Sequence, residues 1–278
     1  MEKTLSSEDK FPRLLSFLRE SESAVLAFSG GVDSSFLLKA MKEAQMKVLA
    51  VTAISGTMPK KDVENCLSVI REIGVAHRTI RTEELSNESF LKNTPERCFF
   101  CKNDLFGRLK KIAETEGYRH LFDGSNAEDL LDHRPGRKAA ALHGVTSPLA
   151  DHGFTKDQIR ALSKGLGLKT WDRPSSPCLS SRFPYGRRIT VEGLLRVEKA
   201  EEFIRALGVR ELRVRDYGDS ARIEVGEEDM AIVLTRNNRH LITENLRSLG
   251  YEYVSIDLEG FRSGNMNRTI GEHQGIKT

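Results

Sequence analysis

The stretch LAFSGGVDSSF, Leu26 to Phe36, limits this chain more than any other feature. Ala24, Val25, Leu26, Ala27 and Phe28 form a short apolar run of the kind that makes a buried strand. Beyond Asp33, residues Phe36, Leu37, Ala40 and Met41 recur at helical spacing. Gly30 and Gly31 therefore fall at a strand-to-helix turn, where the missing Cβ lets the backbone bend tightly and approach a ligand. The helix that follows offers unpaired N–H groups and the positive end of its dipole. Such a turn is an anion site, most naturally for phosphate. Ser29, Ser34 and Ser35 add hydroxyl donors, and Asp33 suits Mg2+ or its water shell.

GxxxxGK[ST] is absent, so this is not a Walker A loop. SGGVDSS instead resembles the SGGxDS loop of the PP-loop ATP pyrophosphatases. Those enzymes cleave ATP between the α- and β-phosphates and adenylate a substrate oxygen. The loop alone does not choose among members that make GMP, make NAD or thiolate tRNA.

With 278 residues the chain has room for one large domain or two ordinary ones. Its 43 Lys and Arg against 40 Asp and Glu leave +3, which argues against a dedicated nucleic-acid binder. No apolar run reaches membrane-spanning length, so no membrane partner is expected. MEKTLSSEDKFPRLL lacks the apolar core of a signal peptide, and the expectation is a cytoplasmic protein. In that compartment four cysteines read as metal-binding, catalytic or buried rather than as a disulfide framework.

Strand-like and helix-like segments alternate through the first half. Lys47–Ala53, Ala76–Arg81 and Arg119–Asp123 read as strands. Lys61–Ile73 reads as a helix with Val63, Leu67, Ile70 and Ile73 on one face, and Cys66 as core beside them. Cys101–Glu116 and Thr155–Lys164 read as further helices, the latter with Thr155 as N-cap. This alternation predicts an α/β domain with a parallel sheet covered on both faces, over residues 1–170. Ligands then sit beyond the carboxyl ends of the strands.

TWDRPSSPCLSSRFPYGRR carries three prolines and no apolar period, so 171–187 reads as a cysteine-bearing connector. Over 188–265 a second alternation begins. Arg188–Val191 is a candidate strand, Leu194–Leu207 a helix, Val209–Arg215 and Ala221–Gly226 a hairpin, Arg239–Leu249 a helix and Glu252–Leu258 a last strand. That β-α-β-β-α-β order suggests a smaller α+β ferredoxin-like domain. A polar tail closes the chain over 266–278.

Three further groups carry chemistry. In FDGSNAEDLLDHRPGRKAA, Ser125, Asn126, Asp129, Asp132, Arg134 and Arg137 follow a strand at the ligand-bearing edge. Carboxylates there suit Mg2+ and arginines suit phosphate, although a solvated charged loop has the same composition. Cys98 and Cys101 form CFFC, and Cys178 lies in SSPCLSSR. A CxxC pair with one distant cysteine suits three-thiolate ligation of an iron–sulfur cluster or zinc, and equally three incidental thiols. On the hairpin, strand alternation puts Arg213 and Arg215 on one face, fit to grip phosphate or simply exposed. Arg262 in GFRSGNMN adds a cation near the end.

SGGVDSS, DGSNAED with RPGRKAA, RPSSPCLSSRFPYG, LRVRDYG and GFRSGNMN together resemble the LarE family over about residues 10 to 267. The resemblance implies an ATP-dependent sulfurtransferase that helps make the nickel-pincer nucleotide cofactor of lactate racemase. It implies adenylation of a carboxylate of a pyridinium bis-carboxylic acid mononucleotide, release of pyrophosphate, and replacement of oxygen by sulfur. Ser29, Gly30, Gly31, Asp33, Ser34, Ser35, Ser125, Asn126, Asp129 and Arg134 would then hold ATP and Mg2+, with Asp33 and Cys178 catalytic. Arg213, Arg215 and Arg262 would grip the substrate phosphate.

Two versions of the family differ in sulfur source. In one, the PCxxSR cysteine, here Cys178, gives up its own sulfur and becomes dehydroalanine. In the other it joins a CxxC pair, here Cys98 and Cys101, to hold a [4Fe-4S] cluster bearing an extra sulfide. This sequence resembles the cluster-dependent version, with a sulfide donor the sequence does not identify. The resemblance also implies a homo-oligomer, in some members a hexamer. A PP-loop tRNA thiolase, an ammonia-using synthetase and a nucleotide-binding regulator are the alternatives. The first needs a basic surface, the second needs no CxxC, and the third leaves Asp33 and the cysteines unexplained.

Overall fold

The computed structural model describes residues 7–130 and 135–262. Their elements run α1 (Ser7–Ser21), β1 (Ser23–Ala27), α2 (Val32–Glu43), β2 (Lys47–Ile54), α3 (Lys60–Ile73), β3 (Ala76–Arg81), α4 (Glu88–Leu91), α5 (Arg97–Glu116), β4 (His120–Phe122), α6 (Gly136–Leu142), α7 (Pro148–Asp151), α8 (Lys156–Gly165), α9 (Val191–Ala206), β5 (Leu212–Asp216), β6 (Ser220–Val225), α10 (Glu227–Leu234), α11 (Arg236–Ser248) and β7 (Tyr253–Ile256). They form two compact units. The first ends at Glu84 and resumes from Cys98 to Ser176; the second takes Leu85–Arg97 and the chain from Pro177 onward.

The first unit is the expected α/β domain. Its sheet has the order β3-β2-β1-β4, parallel throughout. Side chains alternate across β1, so Ala24 and Leu26 pack with Phe36, Leu37, Met41 and Phe122 on one face. Val25 packs with Leu49, Val51, Phe106 and Leu109 on the other. Burial on both faces explains why β1 reads as an unbroken apolar run. Strand order reverses between β1 and β4, and there the loops after their carboxyl ends meet. Thr155 caps α8 in a capping box with Gln158, as its sequence predicts. The face of α3 is rotated from expectation: Cys66, Val69, Ile70 and Ile73 are buried, whereas Leu67 is exposed.

The second unit is α+β with a three-stranded sheet, β5-β6-β7. β5 and β6 pair antiparallel as the expected hairpin, while β7 joins β6 in parallel. The strand expected over Arg188–Val191 does not form. Thr190 instead accepts a hydrogen bond from the Gly193 N–H and caps α9, which begins at Val191. Its cap chemistry outweighs the short β-branched run. α10, not anticipated, fills the stretch between the hairpin and α11. Leu85–Arg97 docks here: Ile189 N–H donates to Leu91 O, and Gly186 N–H to Asn93 O.

Candidate functional site

The turn after β1 has the form its sequence dictates. Gly30 takes φ +68, in the left-handed region, and Gly31 precedes α2 without any side-chain cap. The first N–H groups of α2 are therefore left for an anion. Ser29 Oγ lies 3.1 Å from Ser34 Oγ, and Gly31 N–H donates to Ser29 Oγ at 3.4 Å. Ser35 is fully buried, and its hydroxyl has no hydrogen-bond partner among the described residues.

The loop after β4 closes on this turn from the other side of the switch point. A Cβ at Gly124 would fall 2.9 Å from both N and Cα of Ser34, so only glycine allows this approach. Asn126 Nδ2 donates to Asp33 Oδ2 at 3.0 Å, and Asn126 N–H donates to Asp129 Oδ2 at 3.2 Å. Burial pushes the Asp33 carboxyl above its usual range. The Asn126 bond pulls it down, nearby Asp129 pushes it up, and Lys156 and Arg160 pull it down again. A carboxylate crowded in this way is served by a bound cation, which fits Mg2+.

Structure thus gathers Ser29, Gly30, Gly31, Asp33, Ser34, Ser35, Asn126 and Asp129 in one place. Ser125 stands beside them, with its Oγ donating to Asp123 Oδ2 at 2.8 Å. Arg134, along with Asp132, lies outside the described residues. Asp123, which directly follows β4, also accepts from Ser147 Oγ at 2.7 Å.

In the second unit the hairpin arginines are buried, neither exposed nor free of partners. Arg215 Nη2 donates to Glu224 Oε2 at 2.6 Å and its Nη1 to Ser181 O at 2.7 Å. Arg213 stacks on the Phe261 ring at 4.9 Å. Burial pushes Arg213 down to about 9, helped by Arg182, Arg205 and Arg215, against Glu201. Burial raises Glu201, yet Arg182, Arg205 and Arg213 hold it below the carboxylate range. Among the described residues five arginines, counting Arg222, here face Glu201, Glu224 and Asp257, a surplus that favours an anion. Arg262 is exposed, 3.8 Å from Glu259.

None of the four cysteines is in a disulfide. Cys66 is buried in the core, where burial pushes its thiol up to about 11. Cys98 and Cys101 lie three residues apart on α5, hence on one helical face, Cys98 exposed and Cys101 half-buried. Cys178 precedes a single 3-10 turn, Leu179–Arg182. Arg182, almost wholly buried, donates to the carbonyls of Pro177 (2.7 Å) and Cys178 (3.2 Å), and to Glu201. Among the described residues no three or more His, Cys, Asp or Glu side chains are grouped to hold a metal. The cluster expectation therefore rests on the cysteine motif alone.

Known proteins can now be set beside this geometry. Pyridinium-3,5-bisthiocarboxylic acid mononucleotide synthase of Lactiplantibacillus plantarum is 36% identical over 263 residues, 94% of this chain and 95% of that protein. The chain belongs to the LarE family. It is an enzyme of the ATP-dependent sulfurtransferase class. An uncharacterized Synechocystis protein is 39% identical over 95% of this chain and 98% of its own length. Residues 23–96, which span β1 to α4, match the queuosine biosynthesis protein QueC family. A tRNA-specific 2-thiouridylase of Syntrophus aciditrophicus is 28% identical over 55% of this chain and half its own length. The NMN synthetase of Francisella tularensis shares the fold, with a TM-score of 0.51 at 19% identity over 62% of this LarE chain and 76% of its own. Among the described residues no helix is long and apolar enough to cross a membrane.

Proposed function

We propose that this LarE-family enzyme converts carboxylates of a pyridinium bis-carboxylic acid mononucleotide to thiocarboxylates, using ATP, on the way to the nickel-pincer nucleotide. The near full-length similarity to the L. plantarum synthase carries this reading. The uncapped α2 N-terminus, with the hydroxyls of Ser29, Ser34 and Ser35, supports it as the seat of the ATP phosphates. Asp33, with Asp129 beside it, is the proposed Mg2+ ligand, and Arg134 is a proposed phosphate ligand. A substrate carboxylate oxygen attacks the α-phosphorus, the bond to the bridging oxygen breaks, and pyrophosphate leaves on the anion-binding turn. A sulfur nucleophile then adds to the acyl carbonyl and AMP departs.

Cys98, Cys101 and Cys178 are the proposed thiolates of a [4Fe-4S] cluster, which would supply a renewable sulfide. The single-use loss of Cys178 sulfur is the competing source. Arg213, Arg215 and Arg262 are the proposed grip on the substrate phosphate, supported by the buried cationic surplus of the second unit. A cytoplasmic location and a homo-oligomer belong to the same reading.

The test is pyrophosphate release and product mass with the mononucleotide and, in parallel, with tRNA. Release with the mononucleotide, together with oxygen-for-sulfur replacement in the product, is the expected result. Release with tRNA alone would overturn it in favour of a thiolase.

A further inference from the structure

The carbonyl of Gly30 is held by a guanidinium from the far end of the same unit. Arg173 Nη1 donates to Gly30 O at 3.0 Å, and Nη2 donates to Asp62 Oδ1 at 2.9 Å. Asp62 lies in the first turn of α3, and its second oxygen accepts from Ser176 Oγ at 2.7 Å. Arg160 on α8 fixes the backbone that carries Arg173, donating to Trp171 O and Arg173 O, both at 2.7 Å. Arg173 and Asp62 are mostly shielded, with side chains 23% and 14% exposed.

We propose that Arg173 is a positioning residue for ATP: it sets the Gly30–Gly31 peptide so that the Gly31 N–H faces the phosphates. The proposal rests on the ATP reading above and goes beyond it. A trans peptide points its C=O and N–H in opposite directions, so fixing one fixes the other. Held at its carbonyl by Arg173, this peptide sends the Gly31 N–H toward Ser29 Oγ, 3.1 Å from Ser34 Oγ. The need for a clamp follows from the sequence: a Gly-Gly pair is the least restrained peptide a chain can contain. One side of the turn is already blocked, because a Cβ at Gly30 would fall 2.6 Å from Cys66 Sγ. Arg173 restrains the other freedom, rotation of the peptide plane. A donor aimed before the ligand arrives costs less to order on binding. The second guanidinium contact, to Asp62, keeps the cation itself from wandering to the phosphate or to solvent. Ser176, the last anchor, stands two residues before Cys178 in the chain, so the connector is tied to the ATP turn up to that point.

Binding of Mg2+ and the α,β-methylene analogue of ATP to the full chain, read by calorimetry, tests this without any need for turnover. Arg173→Ala is expected to weaken the analogue about tenfold or more, the scale of a lost charge-assisted bond. Arg173→Lys, which keeps the charge and reaches one acceptor, is expected to fall between. Added methylguanidinium is expected to restore binding to Arg173→Ala and to leave the unsubstituted protein unchanged. Binding by Arg173→Ala equal to that of the unsubstituted protein would overturn the proposal. So would a loss that neither lysine nor methylguanidinium restores and that tracks a fall in thermal midpoint, since that is a structural role only. If the unsubstituted protein itself does not bind the analogue, the ATP reading fails first and takes this proposal with it.

Discussion

Asp33 bears a cost when no cation is present. Burial raises its carboxyl in the folded chain above its unfolded value, so the folded state holds the proton more tightly. That stability is fully present below the ordinary aspartate range and is lost as pH rises through the raised value. Once Asp33 ionises, the ligand-free protein therefore carries a charged, poorly solvated group. Asp33→Asn is expected to raise the thermal midpoint of ligand-free protein at pH 7 and to abolish adenylation. It should also flatten the midpoint's dependence on pH above the aspartate range. Thermal melts across pH, with pyrophosphate release on the same samples, check all three; a lower midpoint at pH 7 would contradict the burial argument. At this scale the sequence was informative wherever the chemistry is local. SGGVDSS lies within a single strand, turn and helix, so its conformation follows from nearest neighbours. The Arg173 contact to Gly30 spans 143 residues, and no local pattern announces it.

At the scale of elements, the loops after β1 and β4 meet only because Gly124 has no side chain. Gly124→Ala would place a methyl carbon 2.9 Å from backbone atoms of Ser34, and backbone does not yield as a side-chain end would. The expected result is loss of nucleotide affinity and a destabilisation of about 1–3 kcal/mol from overpacking, with the parallel sheet intact by circular dichroism. The hairpin makes a different point. Alternation correctly put Arg213 and Arg215 on a common face, but it does not say what covers that face. Burial came from Ser181, Glu224 and Phe261, which are distant in sequence or on the partner strand. Arg215→Ala leaves Glu224, fully buried, still paired with Arg222. Because Glu224 keeps a cation, destabilisation of about 1.5–3 kcal/mol is expected, the scale of a lost hydrogen bond between charged groups. Arg213→Ala tests the phosphate grip. It is expected to weaken the mononucleotide while sparing the ATP analogue, and equal losses of both would count against a grip in this unit.

At the scale of the whole chain, the two units are not consecutive. Sequence patterning found both alternations, βα in the first half and the mixed set after the connector, because each is a period written into neighbouring residues. It did not show that Leu85–Arg97 leaves the first alternation and completes the second unit, because those contacts are made some 90 residues away. Asn93 is the pin. It is fully buried at φ +52, donates from Nδ2 to the carbonyls of Phe183 (3.2 Å) and Pro184 (2.8 Å), and accepts from Arg97 at Oδ1. Arg97 in turn donates to Ser180 O at 2.8 Å, and Glu88 pairs with Arg188. A cut between Ser176 and Pro177, in an exposed stretch, therefore leaves the amino-terminal fragment still supplying part of the second unit's structure. The two fragments are expected to co-elute on size exclusion in native buffer. Asn93→Ala removes a donor from the Phe183 and Pro184 carbonyls and an acceptor from Arg97; Pro184 O keeps the Arg187 N–H and Arg97 keeps Ser180 O, so a loss of about 1–3 kcal/mol, the scale of one buried group left unsatisfied, is expected. In the cut protein that substitution is expected to let the fragments separate, whereas in the uncut chain it should lower the thermal midpoint without releasing anything. Fragments that part in native buffer with Asn93 in place would show that 85–97 does not hold the second unit together.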